Sequence, residues 1–268
     1  MKQVVNQNLI KQFKNNVILY LKMFFTYKPQ GLTLGQLTNN LREKINKKIC
    51  YIGRLDPLAY GLVCFLVEDE CKNQKEYIRH DKTYSFNIIF GISTDSGDPL
   101  GKILDIKDVF EIDYKKIEAF DGYKYLQEYP LYSSYVIKKD GLKKPLWYFE
   151  KNGIKLDEIP SHEITIKKLD ISGNPYFINN SDYFIKQIEK LDDCKADSFR
   201  RDEILEQYKK IGNFHFLAIP MVAKVSSGTY IRKLCEDIGA SMGIPAIADN
   251  IERISFHFPE KIENYDFL

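Results

Sequence analysis

Apolar and polar side chains alternate from Thr83 to Ile88, with Tyr84, Phe86 and Ile88 on one side and Thr83, Ser85 and Asn87 on the other. A period of two predicts a strand across Lys82–Phe90 with one face buried. Leu62-Val-Cys-Phe-Leu-Val67 has no polar member and predicts a buried strand. Residues 17–25 predict another, closed by a turn over Tyr27-Lys-Pro-Gln-Gly31. Leu34, Leu37 and Leu41 then recur at helical spacing. Arg42, Lys44, Lys47 and Lys48 crowd the far end of that helix, where cations suit its dipole.

Further along, Gly91 to Gly101 predicts a polar turn followed by a short strand, residues 113–121 a helix, and Ile164 to Ile171 a strand. Residues of about 179–210 are polar, charged and partly helical, with Phe184, Ile188 and Leu191 on one stripe. They read as an insertion that need not contact a substrate. His215 to Lys224 contains a buried strand, after which the chain turns into a helix with Ile231, Leu234, Cys235 and Ile238 inward. Ser226, Ser227 or Thr229 is expected to cap that helix. Arg232 falls in its first turn, where the dipole disfavours a cation, and this points to a buried partner.

Tyr129 to Phe149 interleaves aromatic rings with lysines. The pattern serves equally for RNA, with bases on rings and ammonium groups on phosphates, and for a half-buried surface hairpin. Lys and Arg number 39 against 37 Asp and Glu, a net charge of +2, so any polyanion must be met by local basic patches. Five cysteines at positions 50, 64, 71, 194 and 235 include no Cys-x-x-Cys pair, and four histidines are scattered. This reads as reduced thiols in a cytoplasmic protein, without a metal site. The Met1 end lacks signal-peptide character, and residues 17–25 are too short and too charged to span a bilayer. No Pro/Gly/Ser-rich boundary divides the chain, which is expected to be a single domain over residues 1–268.

Candidate chemistry concentrates in Tyr51-Ile-Gly-Arg-Leu-Asp-Pro-Leu-Ala-Tyr-Gly61. Pro57 fixes its own φ and biases Asp56 away from helical geometry. Gly53 and Gly61 permit tight bends on either side. A carboxylate is thereby presented on a stiff corner at the mouth of a strand. The string closely resembles the catalytic motif of the TruB family of RNA pseudouridine synthases. Other segments resemble family motifs in the same order: Lys28-Pro29-x-Gly31, Lys82-Thr-Tyr84, the turn from Gly91 to Gly101, the segment from Pro130 to Gly153, and Ser227-Gly-Thr-Tyr-Ile-Arg232. The agreement runs from about residue 17 to about residue 258. Tyr51 stands where bacterial members usually carry histidine, Arg54 where they carry a small residue, Tyr60 for threonine and Tyr27 for aspartate. Nothing resembling the C-terminal PUA domain of many relatives follows Arg253.

The resemblance implies an α+β fold, a mixed and largely antiparallel central sheet flanked by helices with a catalytic cleft across it. It implies isomerisation of uridine to pseudouridine without metal or organic cofactor, at U55 in the T-arm of tRNA, by a protein acting as a monomer. Asp56 is then the ionised catalytic carboxylate, either attacking the ribose C1′ or helping to remove the C2′ proton. Arg232 holds that carboxylate, bidentately by expectation, and Tyr84 stacks on the base and takes part in proton transfer at C5. Tyr230, Lys28, Tyr51 and Arg54 form the substrate-binding set. Two other readings share the fold: an RNA-guided H/ACA-type subunit, and a non-catalytic RNA-binding protein or tRNA chaperone. Without the resemblance, periodicity and composition support only an α+β domain of unknown binding role.

Overall fold

In the computed structural model, residues 22–192 and 199–258 are described, together with the backbone of 265–267. The chain runs β1 (Met23–Lys28), α1 (Leu34–Ile45), β2 (Ile49–Ile52), β3 (Tyr60–Val67), α2 (Gln74–Ile78), β4 (Asp81–Phe90), β5 (Ile92–Thr94), β6 (Ile103–Ile106), α3 (Tyr114–Glu118) and β7 (Lys124–Glu128). It continues through β8 (Val136–Lys139), β9 (Leu142–Pro145), α4 (Leu146–Lys151), β10 (Ser161–Ile171), β11 (Tyr176–Ile178), α5 (Asp182–Ile188), α6 (Arg201–Lys209), β12 (Phe216–Val225), α7 (Ile231–Ala240), β13 (Ala246–His257) and β14 (Tyr265–Phe267). Ten strands form one sheet in the order β14-β1-β3-β13-β4-β12-β10-β7, with β2 on β3 and β11 on β12. Only β14 on β1 and β13 on β3 pair in parallel, so the sheet is mixed and largely antiparallel as expected.

The alternation in β4 separates two cores. Tyr84, Phe86 and Ile88 face a cluster completed by Leu34 and Leu37 of α1 and by Ile231, Leu234, Cys235 and Ile238 of α7. Ile89, from the opposite face, joins Ala218 and Ile247 in a second cluster. That cluster is covered by α5 and α6, through Phe184, Ile188, Ile204 and Tyr208, and by Leu191 just after α5. The polar segment at 179–210 thus supplies the apolar cover for the reverse face of the sheet. Tyr208 and Phe184 are both fully buried there.

The strand expected at 17–25 begins at Met23, and its portion at 17–21 lies outside the described residues, as does Cys194. The sequence reading missed β13, the longest strand, and β7. Two register shifts interrupt β13 against β4, between Asp249 and Glu252 and between Arg253 and Ser255, and Asn250 sits at φ 49°. Bulges break the two-residue period that reveals a strand. Among the described residues no helix is long and apolar enough to cross a membrane.

Candidate active site

The Asp56 corner is the loop between β2 and β3. Gly53 and Gly61 adopt φ of 68° and 104°, the left-handed region that the bends require. At Gly61 the need is also steric, since a Cβ there would lie 2.4 Å from the Arg253 carbonyl oxygen. The Ala59 N–H donates to the Asp56 carbonyl at 3.1 Å and closes the turn.

Two fully buried cations hold the corner from beneath. Lys28, at the end of β1, donates from Nζ to the carbonyls of Pro29, Pro57 and Ala59. Arg253, in β13, donates from Nε to Leu62 O at 2.7 Å and from its terminal nitrogens to the carbonyls of Gly53 and Arg54. Burial pushes the Lys28 ammonium down to about 7; the Asp56 charge opposes the shift and Arg253 adds to it. Three acceptors on three donors explain why a lysine is tolerated there.

Arg232 reaches the same corner from the first turn of α7. Its side chain is 3% exposed, and Nε lies 2.8 Å from Asp56 Oδ2. The contact is monodentate, not bidentate. Nη1 donates to the Ser96 carbonyl in a short bond and Nη2 to the Tyr132 carbonyl at 3.2 Å, so only Nε faces Asp56. A second carboxylate, Asp98, stands 3.9 Å from Nε through Oδ2. Its Oδ1 accepts from Ser96 Oγ at 2.7 Å and from Leu100 N at 3.0 Å. Burial disfavours the charge on Arg232, but Asp56 and Asp98 outweigh it and raise the guanidinium's affinity for its proton. Burial raises Asp98 to about 6, a rise moderated by Arg232.

The expected side-chain cap of α7 is absent. Tyr230 occupies the N-cap without a side-chain bond. The three candidate hydroxyls are engaged elsewhere: Ser226 Oγ accepts from Thr165 N, Ser227 Oγ donates to Ile78 O, and Thr229 Oγ1 donates to Ser226 O. The Tyr230 N–H and carbonyl are both bonded to the Gln127 amide of β7.

Asp56, Tyr84, Tyr230, Arg232 and Arg54 line one cavity of about 200 Å³, joined by Tyr129, Lys82 and Arg253. Tyr84 enters from β4 and is 7% exposed, while the Asp56 side chain is 37% exposed and open to an incoming group. Burial and the Asp56 charge push the Tyr230 phenol up to about 12, against the pull of Arg232. Lys82 Nζ donates to the carbonyls of Ile78 and His80, and burial lowers it to about 8. Arg54 is at the rim, donating to Ser134 Oγ at 2.9 Å and lying over the Tyr51 ring at 5.7 Å. Tyr51 and Lys28 do not line the cavity: Tyr51 packs edge-on against Phe65, and Lys28 lies below the loop. Asp98 and Arg253 were not singled out by the sequence reading. Asp98 stood within the turn from Gly91 to Gly101, and Arg253 lies in the bulged strand.

Residues 42–178 match the profile of the TruB family pseudouridylate synthase (N terminal domain), a span that includes Asp56 and Tyr84. The tRNA pseudouridine synthase B of Mesoplasma florum is 28% identical over 232 residues, covering 85% of this chain and 65% of that protein. The tRNA pseudouridine synthase B of Endomicrobium trichonymphae is 28% identical over 244 residues, covering 89% of this chain and 84% of the relative. Among solved structures, a Cbf5-Nop10-Gar1 complex contains a chain of the same fold, with a TM-score of 0.54 at 14% identity, covering 95% of this chain and 55% of that one. The family profile takes in half of the chain, the acidic corner at Asp56 included, and the chain belongs to the TruB family of pseudouridylate synthases.

Proposed function

We propose that this protein isomerises a uridine in tRNA to pseudouridine, at U55 of the T-loop, with Asp56 as the catalytic carboxylate. One observation carries the reading: an exposed face of the Asp56 carboxylate, fixed by Arg232, opens into a cavity that Tyr84 also lines. The names of the relatives from Mesoplasma florum and Endomicrobium trichonymphae support tRNA as the substrate class.

The reaction balances as an isomerisation. The C1′–N1 bond breaks, the uracil turns, C5 bonds to C1′, and the C5 proton is lost as N1 gains one. Asp56 serves in its ionised form, either by attack on C1′ to form an ester that C5 then displaces, or by taking the C2′ proton and returning it as C5 bonds to C1′, and Arg232 stabilises that charge in both cases. The Tyr84 ring stacks on the uracil, and its hydroxyl takes part in moving the C5 proton. A base in folded RNA reaches this cavity only when flipped out, at roughly a few kcal/mol. The hairpin of β8 and β9, with Lys138, Lys143 and Lys144, offers phosphate contacts that offset this, while its Lys139 is paired with Asp157 at 2.9 Å.

The test is incubation of the purified protein with a guide-free T-arm transcript, followed by chemical mapping of pseudouridine. One modified position at U55 is expected, and Asp56→Asn should yield none while binding the RNA within about tenfold of wild type. Turnover retained by Asp56→Asn would refute the role of the carboxylate. Wild-type binding without product would leave only an RNA-binding protein.

A further inference from the structure

The segment between β11 and β12 does more than cover the sheet. Arg200, at φ 57° before α6, forks onto Asp95 with Nη1–Oδ2 at 2.7 Å and Nη2–Oδ1 at 3.2 Å. Both side chains are largely shielded, at 17% and 13% exposure. The same guanidinium lies over the Tyr132 ring, 4.4 Å from its centroid. A planar fork on a carboxylate with one face on an aromatic ring fixes the cation in both position and tilt.

Its two partners are informative. Asp95 directly precedes Ser96, whose carbonyl receives Arg232 Nη1, and Tyr132 itself supplies the carbonyl that receives Nη2. These two carbonyls set the plane of the Arg232 guanidinium and leave Nε for Asp56. They belong to different loops, one after β5 and one before β8, and Arg200 ties those loops together by touching Asp95 in one and Tyr132 in the other. Arg200 is anchored in turn by the Ile204 N–H to its carbonyl at 3.0 Å and by Ile204 and Tyr208 in the reverse-face core. The same segment also touches the Asp56 side: Asp192 N donates to Gly31 O at 3.3 Å, and Gly31 N donates to Pro57 O at 2.9 Å.

We propose that Arg200 is a positioning residue for the reaction, acting through Asp95 and Tyr132 to aim Arg232 at Asp56. The proposal rests on the reading of Asp56 and Arg232 as the catalytic pair. Losing the fork frees both carbonyl-bearing loops, so Arg232 keeps its charge but loses its fixed direction. Turnover then falls while RNA contacts, which lie on the cavity side, persist.

The experiment compares wild type, Arg200→Gln, Arg200→Lys, Asp95→Asn and the Arg200→Gln/Asp95→Asn double variant in steady-state pseudouridine formation on a T-arm transcript, with single-turnover rates measured in parallel. RNA affinity and thermal midpoint are measured alongside. Arg200→Gln and Asp95→Asn are each expected to lose at least tenfold in kcat with KM and RNA affinity within threefold. The double variant should be no slower than the slower single, because both remove one contact. Arg200→Lys keeps the charge without the fork and should recover only part of the loss. Wild-type kcat in Arg200→Gln, fully additive losses, or kcat and affinity falling together would each overturn the proposal while leaving the proposed activity standing. A wild type that forms no pseudouridine overturns that activity and this inference with it.

Discussion

Arg253 passes beneath the Asp56 corner and reaches the Gly53 carbonyl with both terminal nitrogens, at 3.4 and 3.3 Å. Together with Lys28, it hangs the corner by its carbonyls from two buried basic side chains. The arrangement leaves the Asp56 carboxylate itself uncommitted from below, so that Arg232 is its charged neighbour in direct contact. Stiffness comes from backbone contacts, and reactivity is left to the side chain.

Gly61 is where this suspension is most easily broken. A methyl group there meets the backbone of Arg253 at 2.4 and 2.8 Å, in a conformation that L residues avoid. Gly61→Ala should therefore part β3 from β13 and displace Arg253. The expected cost is about 3 kcal/mol, the sum of dihedral strain and overpacking, read as a shift in the denaturant midpoint. A loss below about 1 kcal/mol would mean that the corner does not depend on this approach.

Arg232 supports a sharper expectation because each of its nitrogens has a different acceptor. Lysine retains the charge but cannot reach Ser96 O, Tyr132 O and Asp56 with one planar group. Arg232→Lys should lower the rate of pseudouridine formation by about 10²-fold or more, with RNA affinity within tenfold. Equal losses in both would reassign Arg232 to binding. Arg232→Ala leaves Asp98 buried without its cation and should destabilise the fold by about 3–5 kcal/mol, measured by denaturant unfolding.

Asp56, Tyr84 and Arg232, which line one cavity, stood out in the sequence through strings that resemble family motifs; local pattern alone marked Asp56 as a Pro-fixed corner, Tyr84 as an ordinary strand aromatic and Arg232 as a cation in the first turn of a helix. The clash of Arg232 with the dipole pointed only to a buried partner and the resemblance named it as Asp56; the monodentate geometry was not expected, since two of the acceptors are backbone carbonyls, which no sequence pattern marks. Lys28 reads like a ligand-facing lysine in its motif and proves to be buried under the loop. Arg253 was hidden in a strand whose bulges erase the alternation. The cover of the reverse face was obscured by composition, because Ile204 and Tyr208 are diluted among the charged residues of α6.

Tyr84 separates the two roles of an aromatic alcohol. Tyr84→Phe keeps the ring in the core and removes only the hydroxyl. If that hydroxyl takes part in proton transfer at C5, the chemical step should slow by about 10²-fold or more with RNA affinity and thermal midpoint unchanged. A Phe variant at wild-type rate would confine Tyr84 to stacking and packing. Tyr84→Ala should in addition lose about 3–5 kcal/mol of stability through the cavity it leaves.

Asp98 gives the site a signature in pH. Its carboxyl is held at about 6 in the folded protein, above the ordinary 3.8, because burial penalises the charge more than Arg232 and the hydrogen bonds from Ser96 and Leu100 favour it. A folded pKa above the unfolded one means that the native state binds the extra proton between these values. Stability from this group is therefore greatest below about 3.8 and declines as pH rises through about 6. The span corresponds to about 3 kcal/mol. Asp98→Asn removes the titration while its amide oxygen still accepts from Leu100 N. The wild-type midpoint minus the Asp98→Asn midpoint should therefore fall steadily as pH is raised from 4 to 7, as followed by thermal unfolding (roughly the window those pKa values set). A constant difference across that window would show that Asp98 stays ionised throughout, as a permanent partner of Arg232.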